Sequence, residues 1–488
     1  MTTMTTEEWV NLIARVEQEG EKPADGTIII AGVTDEIIEG SAKVITSGGV
    51  FKLAQTIPKV DDELTDDSEN AISAAAVSST LRKITGGKMN GGYVGTNEPV
   101  YIFQMDPAED DPAARITYPD YAPNAGFNPA NVNGLGDWEN TFIGDIAPCT
   151  VSGGKVNYWL NKNNIFKKAD GTDAVLTGAD GDVCTAIPTV YWAVNVVVKK
   201  WISTTEAERV FEFAVSHGQF EGSEAHAHRY DSEVKPYLFV GCFEGLTQNN
   251  VLRSVYSTTA TPTVNQTNDT FQTQAAAGGA GYSLQTYNTW TLLALLDYMI
   301  YKNTNMQAVI GLGNVNNSAT LVIGSSYRAQ AGGHAYGTTA NGTTAMRELW
   351  IENRYGDVWE CVVGILKDAN DVIWINTVNT RFPTQNTATP TISATDHVRI
   401  TDYSKTSGQY TKSIRGTAPA PFLPLEGGAT SDTFMCDYYW YSAGLRPCFV
   451  GGPWGDGACC GVASVALNLA PSHADSSVGA RLQILGTA

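Results

Sequence analysis

The chain has few charged residues and especially few basic ones. Only 17% of its 488 residues are charged, and 51 acidic residues outnumber 31 basic ones, giving a formal net charge of -20. Nucleic-acid backbones and anionic membrane surfaces are bound through basic patches. We therefore expect no nucleic-acid partner and no membrane-surface partner.

Long apolar runs and targeting signals are also missing. No uninterrupted apolar run approaches the roughly 18 residues of a membrane span, so we expect no membrane insertion. The opening stretch MTTMTTEEWVNLIARVEQEG is acidic and amphipathic, unlike a secretory signal. The eight cysteines form no CxxC pair, which indicates synthesis in a reducing cytoplasm with mostly free thiols.

Motifs of common catalytic chemistry are absent as well. The sequence contains neither a phosphate-binding glycine loop nor a nucleophile elbow. The Asp- and Gly-rich stretch 170–182 lacks the spacing and the closing Glu of a calcium-binding EF-hand, and it predicts turns. We expect no enzyme and no cofactor.

Glycine, asparagine and threonine are abundant, which favours short strands joined by tight turns. Strands are predicted at 156–160, 189–198, 210–215 and 237–243. Residues 290–301, WTLLALLDYMIY, are apolar nearly all round and predict one buried helix. The polar stretch 257–280 predicts a surface loop. The fold class expected is α+β, with many short strands, loops and a few helices.

The first 85 residues have a different sequence pattern from the rest of the chain. Helical spacing of apolar residues predicts short helices at 7–17 and 70–84, with a strand at 27–32 between them. Small regions with such stripes and little core of their own usually oligomerise. We therefore divide the chain into an oligomerisation and attachment region, 1–85, and a large domain, 86–488.

Part of that first region resembles a segment found near the start of bacteriophage fibre and head-decoration proteins. The likeness covers KVDDELTDDSENAISAAAVSSTL, and it is carried by Val60, Leu64, Ser68, Glu69 and Asn70. The resemblance implies a virion protein, made in the bacterial cytoplasm, whose amino-terminal part attaches to the particle.

The large domain resembles the C-type-lectin-like fold in its formylglycine-generating-enzyme branch. Residues 356–360, Gly-Asp-Val-Trp-Glu, match that branch's Gly-Asn-x-Trp-Glu-Trp signature, with Asp357 in place of Asn and Cys361 in place of the second Trp. Residues 451–482 match the closing motif, with Gly-Gly-Pro-Trp at 451–454, Ala-Pro-Ser at 470–472 and Gly-Ala-Arg at 479–481.

This branch includes the variable proteins of diversity-generating retroelements, whose closing motif is mutated at adenines. An AAC codon changed at both adenines becomes an NNC codon, which cannot encode Glu, Lys, Gln, Met or Trp. None of these five occurs between Gly451 and Leu482 except Trp454, a framework residue of the motif. The resemblance therefore implies a variable binding face near residues 436–482.

The resemblance implies roles for particular residues. We expect Trp454 to be buried as a platform and Arg481 to pair with a carboxylate or with carbonyls. The expected framework residues are Trp359, Gly452, Trp454, Pro471 and Arg481. The expected ligand-binding residues are Tyr439, Tyr441, Asp456, Cys459, Ser464, Ala466, Asn468 and His473.

Three alternatives stay open. Residues 451–482 also fit an ordinary Gly/Ala/Ser-rich loop with no retroelement history. An oxidase of this branch would need two cysteines about five residues apart, where alignment places Ala458 and Ala463; Cys459 and Cys460 are adjacent.

The third alternative is a metal site. His226 and His228 have the spacing that puts two imidazoles on one face of a strand, and three such pairs around a threefold axis could bind a metal; the competing interpretation is a polar loop.

The function expected from the resemblance is host attachment by a bacteriophage receptor-binding protein, with a homotrimer on the virion surface, a bacterial surface receptor and other virion proteins as partners. The alternative is a structural head-decoration or tail-fibre protein of the same fold without a dedicated receptor.

Overall fold

The computed structural model describes residues 93, 95–202, 207–385 and 392–486. The elements expected within residues 1–85 lie outside these ranges, and so does the domain boundary at residue 86. Strands contain 34% of residues and helices 11%, so the described chain is rich in β-structure. Among the described helices none has the length and apolar character needed to cross a membrane.

The strands up to residue 253 are β1 (Tyr101–Met105), β2 (Ile116–Thr117), β3 (Ala147–Ser152), β4 (Lys155–Asn161), β5 (Asn164–Lys168), β6 (Asp182–Pro188), β7 (Tyr191–Trp201), β8 (Ala207–Ser216), β9 (Arg229–Tyr230), β10 (Glu233–Val234), β11 (Tyr237–Gly241), β12 (Leu246–Gln248) and β13 (Val251–Arg253).

The later strands are β14 (Tyr282–Leu284), β15 (Arg347–Glu348), β16 (Ile351–Glu352), β17 (Trp359–Lys367), β18 (Ile373–Asn376), β19 (His397–Ile400), β20 (Gln409–Ile414), β21 (Pro424–Ala429), β22 (Tyr438–Tyr441), β23 (Arg446–Val450), β24 (Val465–Leu467), β25 (Val478–Ala480) and β26 (Leu482–Gly486). The α-helices are α1 (Asn268–Ala276), α2 (Tyr287–Tyr301), α3 (Met306–Val309) and α4 (Ser325–Ala329), and short 3-10 helices span Gly136–Asn140 and Gly457–Cys459.

Three sheets contain most of the strands. A seven-stranded sheet has the order β14-β26-β11-β6-β3-β4-β5, and a four-stranded sheet has the order β2-β1-β8-β7. A nine-stranded sheet has the order β19-β18-β17-β23-β24-β22-β20-β21, with β25 added beside β17. Short two-stranded pairs are formed by β9 with β10, β12 with β13 and β15 with β16.

The four strand predictions are confirmed. Residues 156–160 lie in β4 and 210–215 in β8, while most of 189–198 lies in β7 and most of 237–243 in β11. Strands β7 and β8 form a long antiparallel hairpin, and β7 is the edge of its sheet.

The predicted buried helix is also confirmed, as α2. The Thr286 side chain accepts a hydrogen bond from the Thr289 amide at 3.2 Å and caps its first turn. All fifteen residues of α2 are buried. Trp290 packs on the nine-stranded sheet, whereas Leu292 and Leu296 belong to the main core of the domain.

One turn from the end of α2 is a buried ionic group. Arg354 Nη1 lies 2.5 Å from Asp297 Oδ2 and 2.7 Å from Glu348 Oε2, and all three side chains are almost fully buried. A buried carboxylate needs such partners, because the charge has lost its hydration. The group ties α2 to strand β15.

The loop prediction for 257–280 is wrong in part, because this stretch contains helix α1. The Thr267 side chain caps the helix by accepting from the Thr270 amide at 3.3 Å. Phe271 and Ala275, one turn apart, are buried against β17 and neighbouring strands. Only this one face is apolar, so the polar composition of the segment concealed the helix.

If α1 is part of the core, Phe271→Ala will lower the free energy of unfolding by about 3 to 5 kcal/mol, because a large buried aromatic side chain leaves a cavity. The exposed Thr273 of the same helix provides the control, and Thr273→Ala should change stability by about 0.5 kcal/mol or less. Denaturant unfolding measures both. Equal, small effects would contradict the packed position of α1.

Candidate ligand-binding surface

The closing segment 436–482 enters the nine-stranded sheet. Strand β24 lies between β22, to which it is parallel, and β23, to which it is antiparallel. This register places Trp440, Ala466 and Phe449 side by side. Because side chains alternate along a strand, Tyr439 and Tyr441 point to the opposite face from Trp440.

Three residues expected to bind a ligand are instead buried, so the prediction is wrong for Tyr439, Ser464 and Ala466. Tyr439 is 2% exposed, and its hydroxyl donates to the Ser404 carbonyl at 2.6 Å. Ser464 donates to the Cys459 carbonyl at 2.7 Å, and Ala466 is covered by the strands on either side. The sheet pairing of β22 and β24 is the physical reason.

The other five, Tyr441, Asp456, Cys459, Asn468 and His473, are half-buried. Tyr441 is separated from the rest, since it lies on the other face of β22 with its ring centroid 5.0 Å from Lys367 Nζ. His473 lies on the Trp440 face, with its ring 6.1 Å from that of Phe449, and its Nε2 is 2.9 Å from Asp475 Oδ2.

An aromatic cluster occupies the Trp440 face. The Tyr438 ring lies 4.5 Å from that of Trp440 and 4.8 Å from that of Tyr410, and Tyr410 Oη is 3.5 Å from Cys459 Sγ. These side chains are all half-buried. We call Tyr410, Tyr438, Trp440, Asp456 and Cys459 the display surface.

The sequence did not predict that Tyr410 belongs to the display surface. This residue lies on β20, well before the closing segment, and it reaches the surface only because it pairs with Tyr438 of β22. No local sequence pattern reveals such a long-range pairing.

Arg481 is paired as expected. The side chain is fully buried, and its Nε donates to Glu360 Oε1 at 2.8 Å while Nη2 contacts the same oxygen. Nη1 donates to the Gly241 carbonyl at 3.0 Å, and Nη2 donates to the carbonyls of Glu352 and Asn353 at 2.8 and 3.0 Å. Several charge-assisted hydrogen bonds from one planar guanidinium fix the orientation of the Arg481 side chain as well as its distance from Glu360.

Two other framework residues are tightly enclosed. Trp359 is 7% exposed, and its ring meets that of Trp440 edge to face at 5.0 Å. Gly452 has a φ of +86°, and a Cβ there would lie 2.5 Å from Cys460 Sγ, so the position requires glycine. Pro471 is half-buried in the turn that follows β24.

The expected burial of Trp454 is wrong, because its side chain is only half-buried. The residue is held through its main chain. Its amide donates to the Asp357 carbonyl at 3.1 Å, and its carbonyl accepts from the Asn317 amide at 2.8 Å. Trp454 therefore fixes the start of the closing loop by backbone hydrogen bonds and not as a buried platform.

Beneath the loop lies Asp437. Its Oδ2 accepts from the Ala463 amide at 2.7 Å, and a Cβ at Gly461 would lie 1.6 Å from its Oδ1. Burial raises the pKa of Asp437 to about 8. The Asp437 carboxyl group thus anchors the loop, and burial favours its protonated form.

Nucleophilic chemistry by the thiols of the closing segment is disfavoured. All eight cysteines are free, and of these Cys459 is half-buried and the other seven are buried. Burial raises the pKa of Cys459, and raises that of Cys460 well above its ordinary value. The reactive thiolate form is therefore scarce.

The histidine pair does not have the expected strand geometry. Residues 226–228 form a turn. His228 is fully buried, with Nε2 3.3 Å from the Ile187 carbonyl, while His226 packs 4.9 Å from the Trp192 ring. Burial lowers the pKa of each imidazole to about 4. His228 cannot reach another subunit, which contradicts the shared metal site.

Among the described residues, no three His, Cys, Asp or Glu side chains are grouped so that they could hold a metal ion.

Comparisons with known proteins gave few matches. No family model matches the chain, and no curated protein matches it. The solved structures that are similar to it include two variants of one protein. A Major Tropism Determinant P3c variant is 12% identical with a TM-score of 0.25, covering 76% of this chain and 91% of its own. A U1 variant of the same protein is 11% identical with a TM-score of 0.23, covering 64% and 83%.

Asp437 makes stability depend on pH. Its pKa is about 8 when folded and about 3.9 when unfolded, so the folded state holds one more proton between these values. Its contribution to stability is complete below pH 4 and falls as pH rises towards 8, by at most about 1.4 kcal/mol per pH unit. Asp437→Asn removes this contribution.

The test compares denaturant unfolding of the parent and of Asp437→Asn from pH 5 to pH 8. The parent should lose stability relative to the variant as pH rises, while other titrating groups affect both proteins alike. Parallel stability curves would show that Asp437 is ionised in the folded protein.

Proposed function

We propose that this protein is a bacteriophage receptor-binding protein whose C-type-lectin-like domain presents the display surface to a bacterial surface receptor. Retroelement mutagenesis would vary the exposed part of residues 436–482. Residues 1–85 would attach the chain to other virion proteins at the virion surface.

The observation that carries this proposal is the separation of fixed and displayed side chains within one segment. Arg481 and Gly452 are enclosed, so a side chain of another shape would not fit at either position. The side chains of Asp456, Cys459 and His473 are only half-buried. A scaffold that holds its loop through buried and main-chain contacts can accept many side chains at its surface. This is the arrangement that a diversified binding protein needs.

The composition of the display surface favours binding. Tyrosine and tryptophan provide large rigid contact areas at low entropic cost, which suits recognition of a protein or glycan. Tyr410, Tyr438 and Trp440 contact one another and are all half-buried, so each is already partly ordered before a ligand binds.

Binding is favoured over catalysis, because the raised pKa values of Cys459 and Cys460 disfavour thiolate chemistry. We propose that the protein is not an enzyme. The second candidate remains a structural head-decoration or tail-fibre protein of the same fold.

A homotrimer forms part of the proposal. Strand β7 is a sheet edge, with Val196 52% exposed, and Ile202 just beyond it is 56% exposed. Apart from the bridge between Trp192 and Glu224, no described segment pairs with the outer side of β7, and strand edges with apolar side chains are sites of association. Several copies of one face would also raise binding strength through avidity.

The function is tested with a display-surface variant, in which Asp456 and Cys459 of the display surface, together with Asn468 and His473 of the same closing segment, are changed to other residues that NNC codons encode. Because these side chains are half-exposed and outside the buried network, expression, melting temperature and the trimeric mass in solution should stay nearly unchanged. Particles carrying the variant should lose adsorption to the original host, at least tenfold.

The matched control changes four exposed residues elsewhere, Lys155, Asp173, Glu221 and Thr258. These particles should adsorb as the parent does. If particles with the altered display surface adsorb like the control particles, receptor selection does not depend on this surface and the structural-protein candidate is favoured.

A further inference from the structure

An open cleft of about 710 Å³ lies at the seam between the seven-stranded and four-stranded sheets. The chain crosses this seam between Pro188, the end of β6, and Tyr191, the start of β7. Neither the display surface nor any other part of the closing segment lines the cleft.

Three aromatic side chains line the cleft, and all are half-buried: Trp159 from β4, Tyr191 from β7 and Tyr237 from β11. The rings of Trp159 and Tyr237 lie 6.2 Å apart at an angle of 60°. Aromatic rings in an open cleft offer flat apolar platforms next to water. Such platforms fit ligands that are apolar on their faces and polar at their edges.

The polar groups of the cleft supply both hydrogen-bond roles. His217 is exposed, and its Nδ1 lies 2.7 Å from the Thr189 carbonyl. Since a carbonyl only accepts, Nδ1 donates this hydrogen bond, which leaves Nε2 to a ligand. Lys162 donates to the Gly144 carbonyl and keeps further N–H donors, and the exposed carboxylate of Asp145 accepts.

The charges of the cleft and of the whole chain indicate that the ligand is uncharged. Lys162 is offset by Asp145 in the cleft, and the whole chain has a formal net charge of -20. Long-range repulsion therefore disfavours phosphorylated, sulfated and polyanionic ligands. The volume lies within the roughly 300 to 1,000 Å³ typical of sites for small ligands and is too small to enclose a folded protein domain.

We infer that this cleft binds a neutral oligosaccharide. The CH faces of the sugar rings would stack on Trp159, Tyr191 and Tyr237. Sugar hydroxyls would donate to Asp145 and to His217 Nε2, and would accept from Lys162. The cleft shares no residue with the display surface, so glycan binding by the cleft does not depend on the proposed receptor-binding function.

The experiment applies the purified full-length chain to a printed array of neutral and acidic glycans, and then measures the dissociation constant of the best-bound glycan by titration calorimetry. We expect neutral glycans to be bound in preference to their sulfated or phosphorylated counterparts. Trp159→Ala should weaken binding at least tenfold.

His217→Ala provides a second variant, because an exposed side chain can be removed without loss of folding. It should raise the dissociation constant about fivefold, the effect of one hydrogen bond of about 1 kcal/mol. The control is the variant changed at Asp456, Cys459, Asn468 and His473, which should bind the glycan like the parent.

Three results would overturn the inference. The parent chain binds no neutral glycan, or it binds acidic glycans more tightly. The third is that glycan binding is unchanged by both Trp159→Ala and His217→Ala.

Discussion

The buried contact between Arg481 and Glu360 is the constraint on which the arrangement of the two large sheets depends. Arg481 is the single residue between β25, beside β17 in the nine-stranded sheet, and β26, in the seven-stranded sheet. Its guanidinium contacts Glu360 of β17 and the Gly241 carbonyl of β11, one from each sheet. A buried guanidinium without these partners would be strongly unfavourable, so both sheets must be correctly placed for it to be satisfied.

The position of the display surface follows from that constraint. The parallel pairing of β25 with β17 sets Gly479 opposite Glu360 and fixes where the closing segment ends. The backbone contacts of Trp454 fix where its loop begins, and Asp437 holds its middle. Because these anchors are buried or made by the main chain, the side chains of Asp456 and Cys459 take little part in holding the fold.

Local patterns predicted the strands and the central helix, since the aromatic and β-branched residues of β7 and the nearly all-round apolar character of α2 are visible in the sequence. The role of Arg481 followed from the motif that contains it. Burial of Tyr439, Ser464 and Ala466 could not be predicted, because it depends on β24 inserting between β22 and β23, and such register is set by contacts distant in sequence. Helix α1 was missed because its single apolar face rests largely on Phe271 and Ala275.

The central claim is that a buried network holds the fold while the display surface does not. The most direct measurement is the free energy of unfolding of Arg481→Ala beside that of the double variant Asp456→Ala/Cys459→Ala, in one denaturant series. The account predicts a loss of about 3 to 5 kcal/mol for Arg481→Ala, because Glu360 is left buried and unpaired. It predicts a change of no more than about 1 kcal/mol for the double variant, two substitutions of about 0.5 kcal/mol each. Similar losses in both proteins would contradict the separation of scaffold and surface.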